Sequence, residues 1–112
     1  NASYTCHMVT AAASKRDVFD RISRLHPELR AYGVRRLALF GSFSRNTADA
    51  DSDVDLIVEF NPGQKTFDNF IAVCELLEQS LQRKVEVLTP ESLSPHIGPR
   101  ILQEAEDVIV AD

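Results

Sequence analysis

The chain has 112 residues, of which 44% are hydrophobic, enough for one domain with a modest core and too few for two. Its 17 acidic against 12 basic residues give a formal net charge of -5, which excludes holding nucleic acid by broad phosphate neutralisation. No apolar run approaches the roughly 18 to 20 residues of a membrane span and nothing resembles a signal peptide, so the expected setting is the cytoplasm, with no membrane and no direct nucleic-acid contact.

Residues 1–8, NASYTCHM, end in the His-Met pair that cloning sites leave behind. They read as a vector remnant, with the natural start at Met8 and the domain over residues 9–112. Cys6 drops out with them. Cys74 then stands alone on a helical apolar stripe, where it suits a small buried hydrophobe rather than a disulfide or metal site.

Ser14 is placed to cap a helix whose apolar positions Val18, Ile22, Leu25 and Leu29 recur at helical spacing. Pro27 predicts a break near His26 and a restart with the proline in the first turn, and Gly33 a stop. RRLALF (35–40) reads as a strand ending at Gly41-Ser42, and SDVDLIVEF (52–60) as a second, closed by Asn61-Pro62-Gly63. From Thr66 a helix carries Phe67, Phe70, Ile71, Cys74, Leu77 and Leu81 on one face, which is expected to be core. KVEVLT (84–89) alternates as a third strand ended by Pro90. A short helix from Pro95 or Pro99 to about Glu106 precedes a fourth strand, DVIVA. The order predicts a small α/β (α+β) domain, a mixed sheet of about four strands with helices packed on one face.

Asp53 and Asp55 interrupt an otherwise buried-looking strand, and an ionised carboxylate there needs a cation, a hydrogen-bond network or exposure. Strand alternation puts both aspartates on one face and Val54, Leu56 and Val58 on the other, so the aspartate face is the uncovered one. Glu86, between Val85 and Val87, joins them if the second and third strands are neighbours. Three carboxylates on adjacent strands suit one or two Mg²⁺ ions, which complete their octahedra with water and substrate phosphates. After the first strand, the Gly41 backbone and the Ser42 hydroxyl offer a phosphate site, and Arg45 adds a guanidinium fork. Arg45 has a structural alternative, pairing with Asp53 or Asp55. Asp49 and Asp51 read as a solvated loop, and His26 and His96 lack ligand-like spacing.

GSFSR (41–45), a spacer, and SDVDLIVEF (52–60) together resemble the signature of the minimal nucleotidyltransferase family within the polymerase-β-like superfamily. The resemblance runs from Ser14 to Val110 and includes KVEVLTPESL, where the family places its third acidic strand. It implies an adenylyltransferase in which Asp53, Asp55 and Glu86 hold Mg²⁺ and act in catalysis, while Gly41, Ser42 and Arg45 bind the phosphates of ATP. It also implies a role as the antitoxin of a HEPN-domain RNase, with AMP transferred to a tyrosine of that toxin. The chain has no helical second domain, which points to the partner protein as acceptor. The competing expectation is a non-catalytic antitoxin that neutralises by binding and occlusion. Two residues depart from the family pattern: Glu86 stands where aspartate is common, and Asn46 where glycine is common.

Overall fold

The computed structural model describes residues 10–96 and 98–110; residues 1–8, read above as a remnant, lie outside them. Ser14, in extended backbone, accepts from the Asp17 N–H at 3.1 Å and so caps α1, Lys15–Arg24. Asp17 in turn accepts from the Ala13 N–H. The chain breaks at Leu25 and resumes as α2, His26–Ala31, with Pro27 in the first turn, where its missing N–H costs nothing. Gly33 then takes φ +87° and turns the chain into the sheet.

The sheet consists of β1 (Val34–Phe40), β2 (Val54–Phe60), β3 (Val85–Leu88) and β4 (Glu106–Val110), in the spatial order β3-β2-β1-β4. β1 runs antiparallel to both β2 and β4, whereas β2 and β3 are parallel. A parallel pair needs a crossover. A one-turn helix, α3 (Gly41–Ser44), follows β1, and the crossover itself is α4 (Phe67–Leu81), capped by Thr66, whose hydroxyl accepts from the Asn69 N–H. α1 and α4 pack on one face, where Val18, Ile22, Val73, Leu77 and Leu81 bury Leu37, Leu39, Val54, Leu56 and Val58 completely. This is the mixed four-stranded sheet under helices that the sequence predicts. The short α5 (Gly98–Glu104) and the 3₁₀ turn Pro90–Ser92 come to the opposite face. There Pro90, Leu102 and Ala105 enclose a small cavity with Arg36, Ala38, Ile57 and Glu59.

Two local expectations are corrected. β2 begins at Val54, so Asp53 lies just before the strand and is exposed. Arg83 takes the carbonyls of Ala50 and Ser52 in the loop that leads to the strand. Phe67 and Ile71 are also not core: Phe67 is 78% exposed and Ile71 38%. The residues of α4 that are buried are Val73, Leu77 and Leu81, an arc at helical spacing that lies to one side of Phe67 and Ile71. Among the described residues no helix is long and apolar enough to cross a membrane.

Candidate active site

The turn after β1 and the start of β2 meet at one point. Phe40 is extended, Gly41 takes φ +78°, and α3 begins at once. A Cβ on Gly41 would overlap the carboxylate of Asp55. The glycine therefore makes room for a side chain of its own protein, a constraint that the reading of Gly41 as a phosphate-approach residue did not contain. Asn46 closes α3 at φ 60°, the left-handed conformation that asparagine tolerates where glycine is otherwise favoured. Ser42 is half-buried beside Gly41, and its carbonyl accepts from the Thr47 N–H at 2.9 Å.

Strand register places the acids. Asp55 pairs directly with Glu86 across β2 and β3 and with Phe40 across β2 and β1, so Asp55 and Glu86 share the face opposite α1 and α4. Asp53 stands two residues before Asp55, and Glu86 is exposed. Burial pushes the Asp55 carboxyl up to about 6, helped by the negative charges of Glu86 and Asp53, against the pull of Arg45. Such a carboxylate is short of a positive neighbour. Among the described residues, no three His, Cys, Asp or Glu side chains are drawn together as ligands of a metal ion. Like charges at this spacing repel, and the donor set remains chemically suited to a hard divalent cation: oxygen donors, exposure of Asp53 and Glu86, and a glycine cradle under Asp55.

Arg45 departs from the structural alternative, in which it pairs with Asp53 or Asp55. Its Nη1 donates to Glu104 Oε1 of α5 at 2.6 Å and forms no ion pair with Asp53 or Asp55. The two charges of this pair both reach Asp55, with opposite effects. Asp49 accepts from the Asp51 N–H at 2.9 Å and from the Ser52 hydroxyl at 3.2 Å, a local turn consistent with the solvated loop foreseen for it. Cys74 is a free, half-buried thiol.

Five residues that hold this region were not singled out from the sequence. Ser44 is buried, and its hydroxyl donates to Glu106 Oε2 at 2.7 Å; the same oxygen pairs with Lys15 Nζ at 2.6 Å. These bonds hold the Glu106 carboxyl below its usual range and tie α3 to α1 and β4. Glu104 anchors Arg45. Arg83 lies over the Phe43 ring at 4.9 Å and donates to the carbonyls of Ala12, Ala50 and Ser52, so it fixes the loop that delivers Asp53. All five act across long stretches of sequence, and no local spacing reveals them.

Comparison with known proteins agrees with this arrangement. Residues 16–108 match the family described as nucleotidyltransferase domain. A Methanocaldococcus jannaschii protein, named as a candidate protein adenylyltransferase, is 40% identical over 86 residues, covering 77% of this chain and 91% of that one. The protein adenylyltransferase MntA of Thermococcus cleftensis is 38% identical over 73 residues, covering 65% and 73%. A solved structure described as a candidate minimal nucleotidyltransferase superposes with a TM-score of 0.76 at 27% identity, over 87% of this chain and 98% of that one. A structure of a tri-AMPylated Shewanella oneidensis HEPN toxin in complex with its MNT antitoxin shares the fold, with a TM-score of 0.61 at 15% identity over 87% and 73%. The family match spans both the glycine-serine turn and the paired-aspartate strand. The chain belongs to the nucleotidyltransferase-domain family, in its minimal form.

Proposed function

We propose that this chain transfers AMP from ATP to a tyrosine hydroxyl of a HEPN-type toxin and acts as its antitoxin. The observation that carries the reading is the direct pairing of Asp55 with Glu86 on neighbouring parallel strands, beneath the Gly41 turn and beside Asp53. Relatives named as protein adenylyltransferases and the fold shared with an MNT antitoxin in complex with a HEPN toxin support the choice of acceptor.

Asp53, Asp55 and Glu86 would hold Mg²⁺. Bound there, the ion neutralises the carboxylates and the triphosphate and stabilises charge on the leaving pyrophosphate. Ser42 and the backbone of α3 receive phosphate oxygens, and Arg45 approaches from the end of the same helix. The acceptor oxygen attacks the α-phosphorus, the bond from that phosphorus to the bridging oxygen breaks, and pyrophosphate departs. Glu86, an exposed residue of β3, takes the acceptor's proton. The remainder of catalysis is positioning and electrostatics.

The test is intact-mass measurement of the HEPN partner after co-expression. Wild type adds mass in steps equal to AMP. Asp53→Asn/Asp55→Asn keeps shape and loses the charge that holds the ion, so the partner should co-purify unmodified. A double variant that still modifies its partner would remove the carboxylates from the mechanism. Full protection against the toxin by the inactive variant, at ordinary expression, would favour neutralisation by binding alone.

A further inference from the structure

Beside the carboxylates lies a surface cleft lined by Arg45, Arg100, Gln103 and Glu104. Arg100 and Glu104 are four residues apart on α5 and so rise from one side of that helix. Glu104 already holds Arg45 at the end of α3, the helix whose first residues are Gly41 and Ser42. Among the described residues Arg100 forms no ion pair. The cleft thus sets two guanidiniums around a single carboxylate, at the end of the one-turn helix whose first residues would receive phosphate.

The Arg45–Glu104 pair is well placed to exchange partners. Its side chains are 54% and 29% exposed, a setting in which an ion pair contributes little and is screened by salt. A phosphate offers the same guanidinium a charge-assisted, bidentate contact and carries more negative charge than one carboxylate. Arg45 therefore gains by releasing Glu104 when a polyphosphate enters, and Arg100 is the second cation within the same walls.

We propose that Glu104 is a displaceable latch on Arg45, and that Arg45 and Arg100 together take the β- and γ-phosphates of a nucleoside triphosphate. The inference rests on the nucleotidyl-transfer reading above and adds Arg100 and Glu104 to the binding residues. It gives the site a reason to prefer triphosphate over monophosphate. It also removes one carboxylate from the surroundings of Asp55 as substrate binds. Inorganic pyrophosphate shares the chemistry of the two outer phosphates and should use the same arginines.

Calorimetric titration with ATP and with pyrophosphate in Mg²⁺, and displacement of ATP by AMP, on wild type, Arg100→Gln, Arg100→Lys and Glu104→Gln, tests the proposal. Arg100→Gln should weaken ATP and pyrophosphate about tenfold and leave AMP unchanged, and Arg100→Lys should recover part of the loss. Glu104→Gln should tighten ATP about threefold, since the latch no longer competes. Equal losses for ATP and AMP in Arg100→Gln would make Arg100 a structural residue and overturn the proposal. Weaker ATP binding in Glu104→Gln would overturn the latch, making Glu104 a support for Arg45. If wild type binds neither ATP nor pyrophosphate, the nucleotidyl-transfer reading itself falls and this inference with it. If wild type binds both and the preference for ATP over AMP is unmoved in all three variants, only this inference falls.

Discussion

Gly41 concentrates two constraints in one residue. Its φ of +78° is open to glycine and strained for any L side chain, and the space where a Cβ would stand is filled by Asp55. Gly41→Ala should therefore lower stability by about 1 to 3 kcal/mol and displace the Asp55 carboxylate. Thermal melts should show the destabilisation. Calorimetry below the melting range should show weakened binding of ATP in Mg²⁺, because the aspartate no longer presents its oxygens from the same place. A folded Gly41→Ala protein with ordinary ATP affinity would break the link between the glycine and the site. Asn46, at φ 60°, marks the opposite case, a left-handed position that a side chain occupies because asparagine tolerates it.

At the scale of elements, the parallel pairing of β2 with β3 makes the site and also makes it costly. Register alone sets Asp55 opposite Glu86; burial, with the negative charges of Glu86 and Asp53 added to it, pushes the Asp55 carboxyl up to about 6 from its ordinary 3.8. The folded protein therefore binds this proton more tightly than the unfolded chain. Above pH 6 the cost of the charge is fully present; as pH falls through 6 toward 3.8 the folded state gains stability from this group. Asp55→Asn should accordingly melt higher than wild type in metal-free buffer at pH 7.5. The gap should narrow through pH 6 and close near pH 4. Melts in a chelating buffer across that range are the check, and equal melting temperatures at pH 7.5 would show that Asp55 is not under strain. Divalent cations should shrink the gap at pH 7.5 by stabilising wild type alone.

Across the whole molecule, the parts legible in the sequence are those written in local order. Ser14, Pro27 and Gly33 set the bounds of α1 and α2 through caps and backbone geometry, and alternation in DVDLIVEF and KVEVL gave each strand its faces. The Gly41-Ser42 turn and the acids Asp53, Asp55 and Glu86 are legible in the same way, from short-range order. Phe67 and Ile71 are misplaced because apolar arcs overlap on α4, and periodicity alone does not say which of them meets the sheet. The partner of Arg45 was missed because Glu104 approaches from a helix 59 residues later. Arg83 is the clearest long-range case: it joins Ala12 at the start of the chain, Phe43 in α3, and the Ala50 and Ser52 carbonyls before β2. Its guanidinium serves three carbonyls and an aromatic face at once, a geometry that an ammonium cannot reproduce. Arg83→Lys keeps the charge and should lower stability by about 1 to 2 kcal/mol; Arg83→Met leaves the carbonyls without their donor and should cost about 2 to 3 kcal/mol. Both should fold at low temperature. If Arg83 positions Asp53 through the loop, each variant will need more Mg²⁺ than wild type for half-maximal AMP transfer, with methionine worse than lysine, and saturating metal will restore part of the rate. A purely structural arginine would lower the melting temperature while leaving the metal requirement of the folded protein where it was, and that result would detach Arg83 from the site.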